Sequence, residues 1–213
     1  MLYEYIKENY KENEPIFVSD LPNDGASKSA LTQRLTSLCN QGLIEKYENG
    51  VYFIPKKNKL NVSIGPNADT VARYKYVFDG KTVKGYYSGH TFANQLGLTT
   101  QVPRMVEIVS NNSSAKYREI EIGKIYFAVR KSNVEINTEN VYVLQLLDLL
   151  KNIDLYIDND FIDTKPKVHQ YIKKHNITRQ EIDKYIREYP VSVFKNYYEL
   201  NLQDVLVKQK INH

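Results

Sequence analysis

Cysteine is nearly absent from this chain, which contains one, Cys39, among 213 residues. An intramolecular disulfide is therefore excluded, and the cysteine usage favours a reducing compartment such as the cytoplasm. Cys39 falls on the apolar side of a predicted helix, where we expect it to pack in the core. No run of 18 apolar residues occurs, so we expect no membrane span. The early charges at Glu4, Lys7 and Glu8 argue against a signal peptide.

Motifs for catalysis and cofactor binding are also missing. The chain contains neither of the phosphate-binding patterns G-x-x-x-x-G-K-[ST] and G-x-G-x-x-G, and no G-x-S-x-G nucleophile elbow. None of the four histidines lies in a C-x-x-C or H-E-x-x-H context, so no zinc site is indicated. The aspartates between positions 148 and 163 lack the glycine and terminal glutamate of an EF-hand loop, and we interpret them as a solvated acidic face. We therefore expect no catalytic residue, no metal and no cofactor.

The positive charge of the chain is modest and unevenly distributed. The net charge is +4 and the isoelectric point is about 8.8, which permits nucleic-acid binding but falls short of a strongly basic domain. Residues 26–60 contain six basic and two acidic side chains, whereas residues 1–25 contain two basic and six acidic ones. If this region binds DNA, residues 26–60 face the phosphates and the acidic segment faces away.

The N-terminal third has the element order of a winged helix-turn-helix. Helical spacing of apolar residues over Leu2–Tyr10 is followed by a short second element that begins at Ser19. Ser27 is the predicted N-cap of a third helix, which ends at Gly42. Two strands then flank the turn Asn49–Gly50, which is a strong hairpin signal. In a winged helix the third helix enters the major groove, and the hairpin forms the wing.

The third predicted helix is apolar on one side and polar on the other. Leu31, Leu35 and Leu38 form its buried stripe, and at about 100° per residue the opposite side carries short hydroxyl and amide side chains that can read base edges. The predicted DNA-binding set comprises Lys28, Ser29, Gln33, Arg34, Thr36, Ser37, Lys46, Asn49, Lys56 and Lys57, with Asn40 on the same helix face. Alternatively, the domain docks onto protein and this polar face is only solvated.

A polar stretch at Lys56–Lys59 marks the predicted boundary between a DNA-binding domain, residues 1–57, and a second domain, residues 60–213. In the second domain, alternating apolar residues predict a hairpin around Gly123, and the pattern becomes helical from Thr138. We therefore predict an α+β fold in which a winged helix-turn-helix is followed by a mixed α/β domain with a small antiparallel sheet and a helical C-terminal part.

The predicted helices at 165–187 are basic and have two interpretations. Lys167, Lys174 and Arg179 form an additional surface for DNA phosphate or for an acidic partner, or they lie on solvated helix faces.

The most specific stretch of the chain is YSGHTFANQLGLTTQVP, residues 87–103. It predicts a helix with Ser88 as N-cap, a stop at Gly97 and a polar turn into a strand. Together with the N-terminal pattern, it resembles the AbiEi-type antitoxins of bacterial abortive-infection (type IV) toxin–antitoxin systems over about residues 1–200. The residues that form this motif are Ser88, Gly89, Asn94, Gly97, Thr99, Thr100, Gln101 and Pro103.

The resemblance implies a function in phage defence. Such antitoxins are encoded beside a nucleotidyltransferase-like toxin. Their N-terminal domain binds inverted repeats in double-stranded DNA upstream of the pair and represses it. Their C-terminal domain neutralises the toxin, usually without a stable complex. The resemblance therefore implies an autoregulating, cytoplasmic protein that is not an enzyme.

Two questions stay open on the sequence. The run Thr99–Thr100–Gln101 either satisfies polar groups between a helix and a strand, which we favour, or forms a contact surface for the toxin or its RNA substrate. The chain is either an antitoxin of this kind or a winged-helix transcriptional regulator whose C-terminal domain senses a ligand or dimerises. An enzyme acting on the toxin or on nucleic acid is least favoured, because no motif supports it.

Overall fold

The computed structural model describes residues 2–22, 25, 27–60, 62–158 and 161–211, with side chains described up to residue 206. The chain divides into two compact units, Met1–Val71 and Ala72–His213. Across the described residues, helices and strands both contribute, and the helices gather toward the C-terminal end, so the fold is mixed α+β. No helix within the described part of the chain is long and apolar enough to cross a membrane.

In its described residues the first unit contains two complete α-helices, a three-stranded sheet and a separate short hairpin. The sheet is antiparallel, and β3 lies in its centre with β1 and β2 on either side. A short 3-10 helix, Val18–Asp20, separates β1 from α2. The elements are α1 (Leu2–Asn9), β1 (Ile16–Phe17), α2 (Lys28–Asn40), β2 (Glu45–Glu48), β3 (Val51–Phe53), β4 (Lys56–Lys57) and β5 (Ser63–Ile64).

The bounds of α2 follow from local sequence. The Ser27 hydroxyl accepts a hydrogen bond from the Ala30 amide at 3.2 Å, as predicted for an N-cap. Leu31 and Leu35 are buried against Ile6 of α1, which fixes the inward side of the helix. Gly42 has φ +68°, a left-handed conformation that ends the helix at little steric cost. These three features leave the opposite side of α2 in solvent.

The first unit extends beyond the predicted boundary of residues 57–60. β4 pairs with β5 in antiparallel register, so the Lys56–Lys59 stretch is part of a hairpin and the first unit runs on to Val71. Within this unit Gly65 packs closely on Phe53, because a Cβ at position 65 would lie 2.9 Å from the Phe53 ring. The polar composition of Lys56–Lys59 reflects an exposed strand and turn.

The second unit is built on a four-stranded sheet of order β6-β7-β9-β8. The predicted hairpin around Gly123 is confirmed as β8 and β9, but β7 and β9 run parallel, so this sheet is mixed. α3 spans the point where the two units divide. The elements are α3 (Ala68–Tyr76), β6 (Gly85–Tyr87), α4 (Gly89–Gln95), β7 (Met105–Ser110), β8 (Tyr117–Ile122), β9 (Ile125–Lys131), α5 (Val141–Lys151), α6 (Phe161–Lys174), α7 (Arg179–Tyr185), α8 (Val191–Glu199) and α9 (Leu202–Ile211).

α5 lies at the centre of the core of the second unit. Residues 143–150 are all buried, and five of them share a core with apolar residues of α4, α6, α7, α8 and α9: Val143, Leu146, Leu147, Leu149 and Leu150. A helix that is apolar nearly all round is stable only when it is surrounded by other elements. The surrounding helices supply that cover, and this explains why the helical C-terminal part follows the sheet in the chain.

Candidate nucleic-acid interface

The exposed side of α2 forms a shallow, polar groove. Most of the predicted base-reading residues line it together, and Thr32 joins them although the sequence analysis did not select it. Thr32 was missed because it lies at the edge of the polar face, about 100° from the Leu31 position. The lining residues are Lys28, Ser29, Thr32, Gln33, Thr36, Ser37 and Asn40, and all seven are exposed.

The hydroxyl groups of this groove are partly engaged with the helix itself. Thr32 donates to the Lys28 carbonyl at 2.9 Å, and Thr36 donates to the Thr32 carbonyl at 2.9 Å. The Ser37 hydroxyl accepts from the Gln41 amide at 3.1 Å. Each threonine therefore offers its γ-methyl group and an oxygen lone pair, since its proton is already donated.

The two amide side chains of the groove are available. Gln33 and Asn40 make no side-chain hydrogen bond to any residue that the structure describes, and both are exposed. They lie seven positions apart, which places them two turns apart on the same side of the helix. An amide of this kind presents a donor and an acceptor together, as base-edge recognition requires.

The other predicted DNA-binding residues lie elsewhere on the surface of the first unit. Arg34 is exposed but does not line the groove. In the β2–β3 turn, the Lys46 ammonium donates to the Asn49 amide oxygen at 2.8 Å, so these two predicted residues are held together. Lys56 and Lys57 are exposed on β4.

The basic residues of the first unit that are predicted to contact DNA are all exposed. None of the predicted basic residues of the first unit forms an ion pair with a residue in the described ranges. The residues concerned are Lys28, Arg34, Lys46, Lys56 and Lys57. Their charges are therefore available to a polyanion, which is what phosphate binding needs.

The start of α4 in the second unit differs from the prediction. Ser88 occupies the N-cap position, but its side chain makes no capping bond and instead accepts from the Arg130 guanidinium at 3.1 Å. The Glu107 carboxylate satisfies the helix start, because it accepts the His90 amide at 2.9 Å. Gly89 has φ +55°, and a Cβ there would collide with this carboxylate. The Ser-Gly pair therefore makes room for a charged side chain from β7.

The polar run after α4 converges on one carboxylate. The Asp158 carboxylate accepts from the Thr99 hydroxyl at 2.7 Å and from the Thr100 backbone amide and hydroxyl at 2.6 and 2.9 Å. It also accepts from the Gln101 side-chain amide at 3.5 Å. The Thr100 amide, followed by the Thr99 and Thr100 hydroxyls, lowers the pKa of Asp158 below its ordinary value. Asn94 supports the turn by donating to the Thr99 and Gln101 carbonyls.

These contacts support the structural interpretation of the run. The Thr99 hydroxyl accepts from the Gln101 backbone amide at 3.1 Å, as expected, but the main partner of the run is the Asp158 carboxylate, which we did not predict. Asp158, which we interpreted as part of a solvated acidic face, is exposed but fully engaged. We refer to Thr99, Thr100, Gln101 and Asp158 as the aspartate clasp. At the ends of the motif, Gly97 has φ +67° and Pro103 is half-buried ahead of β7.

The three candidate basic residues of the second unit are not brought together by the described contacts. The Lys167 ammonium donates to the Gly97 carbonyl at the end of α4. The Arg179 guanidinium pairs with Asp183 at 2.8 Å and lies over the Tyr197 ring, 5.6 Å from its centroid. Lys174 is exposed in the last turn of α6. Two of the three are therefore engaged within the unit.

A buried ion pair in the second unit was missed by sequence reasoning. Arg130 of β9 and Asp148 of α5 approach to 2.9 Å, and the exposed fractions of their side chains are 30% and 8%. Burial lowers the pKa of Arg130, but the neighbouring Asp148 carboxylate raises it by a larger amount. The net shift is upward, so the guanidinium remains charged. A single carboxylate within the apolar run of α5 is the signal that could have indicated this pair.

The ion pair lies in the wall of a small cavity of about 100 Å³. Tyr86 and Tyr189 contribute aromatic rings to the cavity lining, and burial raises the pKa of both hydroxyls. Lys131, Lys151 and Glu188 add charged groups to the lining. A metal site is not formed here or elsewhere in the described residues, which contain no cluster of three His, Cys, Asp or Glu side chains able to hold an ion.

Comparison with known proteins assigns the chain to a sequence family. The comparison with curated proteins gave no match. The sequence profile of DUF6088, a family of unknown function, matches residues 2–180. The matched stretch contains the α2 groove, the motif at 87–103 and the aspartate clasp, and it ends before α8. Because it covers well over half of its length, the chain belongs to DUF6088, a family of unknown function.

Proposed function

We propose that the chain is a cytoplasmic antitoxin with two functional parts and no enzymatic activity. Its N-terminal unit is a winged helix-turn-helix that binds inverted repeats upstream of its own operon and represses transcription. Its second unit neutralises a nucleotidyltransferase-like toxin encoded by the same operon. The observation that carries the DNA-binding part is the groove on α2, where amide, hydroxyl and methyl groups are exposed together, in a unit whose predicted DNA-binding cations are also exposed.

The topology of the first unit supports a winged helix. The order α1, β1, a 3-10 turn, α2, β2 and β3 matches the order predicted for that fold, and β1 completes a sheet with the two strands of the hairpin. In a winged helix the last helix before the hairpin enters the major groove. α2 has this position, and only its inward side is needed for the core.

The antitoxin part of the proposal depends on the resemblance carried by residues 87–103. The structure is compatible with it in one respect. The motif residues hold α4, β7 and the segment before α6 together, through Glu107 at one end and the aspartate clasp at the other. A motif with this role defines a domain fold, so its presence favours a shared fold with the antitoxins that it resembles.

The DNA-binding part is tested with the full-length protein and the DNA upstream of its gene. We expect fluorescence anisotropy to show saturable binding to this DNA, with affinity that falls steeply with salt. DNase I footprinting should protect a two-fold repeat. Binding no tighter than to an unrelated duplex of equal length and composition would rule out specific recognition.

The antitoxin part is tested by growth. We expect expression of the adjacent gene alone to stop bacterial growth and co-expression of this chain to restore it. Residues 72–213 should be tested beside the full chain, since they form the second compact unit. If the adjacent gene is harmless at every expression level, the antitoxin assignment is excluded for this operon.

A transcriptional regulator with a sensing domain is the second candidate function. The cavity lined by Tyr86, Arg130, Asp148 and Tyr189 favours it, because a polar cavity of about 100 Å³ has room for a few waters or a small ligand. This candidate predicts repression without neutralisation. It also predicts that a metabolite changes the operator affinity of the wild-type protein but not of a Tyr189→Trp variant, in which the cavity is filled.

A further inference from the structure

We infer that the α2 groove selects A·T base pairs, reading adenine with its two amides and thymine with its two threonine methyl groups. This inference rests on the proposed DNA-binding function and makes it more specific. Three observations carry it: the free amides of Gln33 and Asn40, the internal hydrogen bonds of Thr32 and Thr36, and the absence of a guanidinium from the groove lining.

The amides fit adenine. In the major groove adenine presents the N7 acceptor beside the N6 amino donor, and an Asn or Gln amide matches this pair with two hydrogen bonds. Gln33 and Asn40 are exposed, and neither amide is engaged within the described part of the structure. No internal hydrogen bond has to be broken before either of them contacts a base.

The threonines fit thymine. The hydroxyl protons of Thr32 and Thr36 are donated to backbone carbonyls one turn earlier, at 2.9 Å in both cases. Such back-bonding fixes the side-chain rotamer, so the γ-methyl group stands at a defined place on the groove surface. Thymine is the base that offers a methyl group in the major groove, and apolar contact with it distinguishes T from C.

The groove is poorly equipped for guanine. Bidentate contact of Arg or Lys with guanine O6 and N7 is the commonest specific contact in the major groove. Arg34 lies outside the groove lining, and Lys28 is at the first residue of α2, at the edge of the polar face. We assign both cations to phosphate, Arg34 because it lies outside the groove lining and Lys28 because it lines the groove only at the first residue of α2.

The first experiment selects binding sites from random DNA. Full-length wild-type protein is incubated with duplexes that contain a randomised segment of about 20 base pairs, and bound molecules are sequenced over several rounds. We expect the enriched half-site to have a run of A·T pairs at its centre. A site enriched in G·C pairs at those positions would overturn the inference while leaving the proposed function intact. No enrichment and no binding would overturn both.

The second experiment assigns atoms to side chains with modified bases in the enriched site. Replacing a thymine by deoxyuridine removes only the C5 methyl group, and replacing adenine by 7-deazaadenine removes only the N7 acceptor. We expect each change at a contacted position to weaken wild-type binding, roughly tenfold for the adenine contact. Thr36→Ser, which retains the hydroxyl, should lose sensitivity to deoxyuridine, and Gln33→Ala should lose sensitivity to 7-deazaadenine.

Two controls separate loss of base contacts from loss of folding. Circular dichroism of Thr36→Ser and Gln33→Ala should equal that of the wild type, because both side chains are exposed. Thr70→Ser changes a threonine outside the groove and should leave deoxyuridine sensitivity unchanged. If wild-type affinity is insensitive to every deoxyuridine and 7-deazaadenine in the enriched site, direct reading of A·T pairs by α2 is excluded.

Discussion

Thr100 donates two hydrogen bonds to one carboxylate oxygen of Asp158, from its amide at 2.6 Å and from its hydroxyl at 2.9 Å, although the two residues lie 58 positions apart. The return contact is made by the Asp158 amide, which donates to the Leu98 carbonyl at 3.2 Å. The segment after α4 and the segment before α6 are therefore joined in both directions. Since each segment has little regular structure of its own, this junction fixes their relative position.

We expect Asp158→Asn to lower the melting temperature of the protein by a few degrees. The side-chain amide of asparagine has one acceptor oxygen where the carboxylate has two, so either the hydrogen bonds from Thr100 or those from Thr99 and Gln101 are lost. Differential scanning calorimetry measures the effect. Asp163→Asn is the matched control, since Asp163 is an exposed aspartate in the first turn of α6. Equal melting temperatures for the two variants would show that the aspartate clasp contributes no stability.

Protonation of Asp158 should give the same loss at low pH. The folded-state pKa of this carboxyl is lower than its unfolded value, chiefly because the Thr100 amide donates to the carboxylate. Its contribution is therefore complete above the unfolded pKa and disappears as the pH falls through the folded pKa. Urea unfolding from pH 7 down to about pH 2 should show that the stability difference between wild type and Asp158→Asn narrows once the pH falls below the unfolded pKa. A stability difference that is constant over this range would contradict the assignment.

Gly89→Ala should destabilise the second unit more than Gly80→Ala does. Both glycines have positive φ, so alanine is strained at either position by about 1–2 kcal/mol. Gly80 faces open space, whereas a Cβ on Gly89 displaces the Glu107 carboxylate from the start of α4. Loss of a hydrogen bond to a charged group adds about 1.5 kcal/mol or more. Urea unfolding of both variants measures the difference, and equal values would mean that Glu107 moves aside without cost.

Local signals in the sequence predicted α2 and the β2–β3 hairpin of the first unit. Ser27, Gly42 and the pair Asn49–Gly50 act on their immediate neighbours, and the structure has a helix start, a helix end and a turn at these positions. The stripe of Leu31 and Leu35 indicated which side of α2 is buried. Each of these effects acts within a few residues, so the sequence alone contains it.

The features that the sequence did not reveal depend on residues far apart in the chain. Ser88 was predicted to cap α4, but Glu107 competes for the helix start from β7, 17 positions after His90. The partner of Thr100 lies in a segment whose aspartates look like a solvated face. The contact between Arg130 of β9 and Asp148 of α5 depends on how these two elements pack, which no local pattern indicates. Tertiary contacts of this kind replaced the local interactions that we predicted.

The salt dependence of DNA binding should separate the two groups of predicted basic residues. Arg34 is exposed and unpaired with any described residue, so we expect Arg34→Ala to weaken binding to all sequences and to reduce the slope of log K against log salt by about 0.9. Lys167 is engaged with the Gly97 carbonyl, so Lys167→Ala should leave this slope unchanged. Anisotropy titrations over about 50–200 mM salt measure both slopes. A reduced slope for Lys167→Ala would instead place α6 on the DNA.

Breaking the Arg130–Asp148 pair should be more harmful than removing it. Asp148 is 8% exposed, so Arg130→Met leaves a buried carboxylate without its cation, and we expect a loss of about 3 kcal/mol in the free energy of unfolding. Arg130→Met combined with Asp148→Leu removes both charges and should recover part of this loss, because no unpaired charge remains.

A double-mutant cycle with both single variants measures the coupling between the two residues, using urea unfolding. If the two losses are additive in the double variant, the pair makes no specific contribution. In that case, stability would not explain why Arg130 and Asp148 line the cavity. If the double variant is as stable as the wild type, the charges are not needed for folding. A role for them in binding a ligand in the cavity would then gain support, and with it the sensing regulator as the function of the second unit.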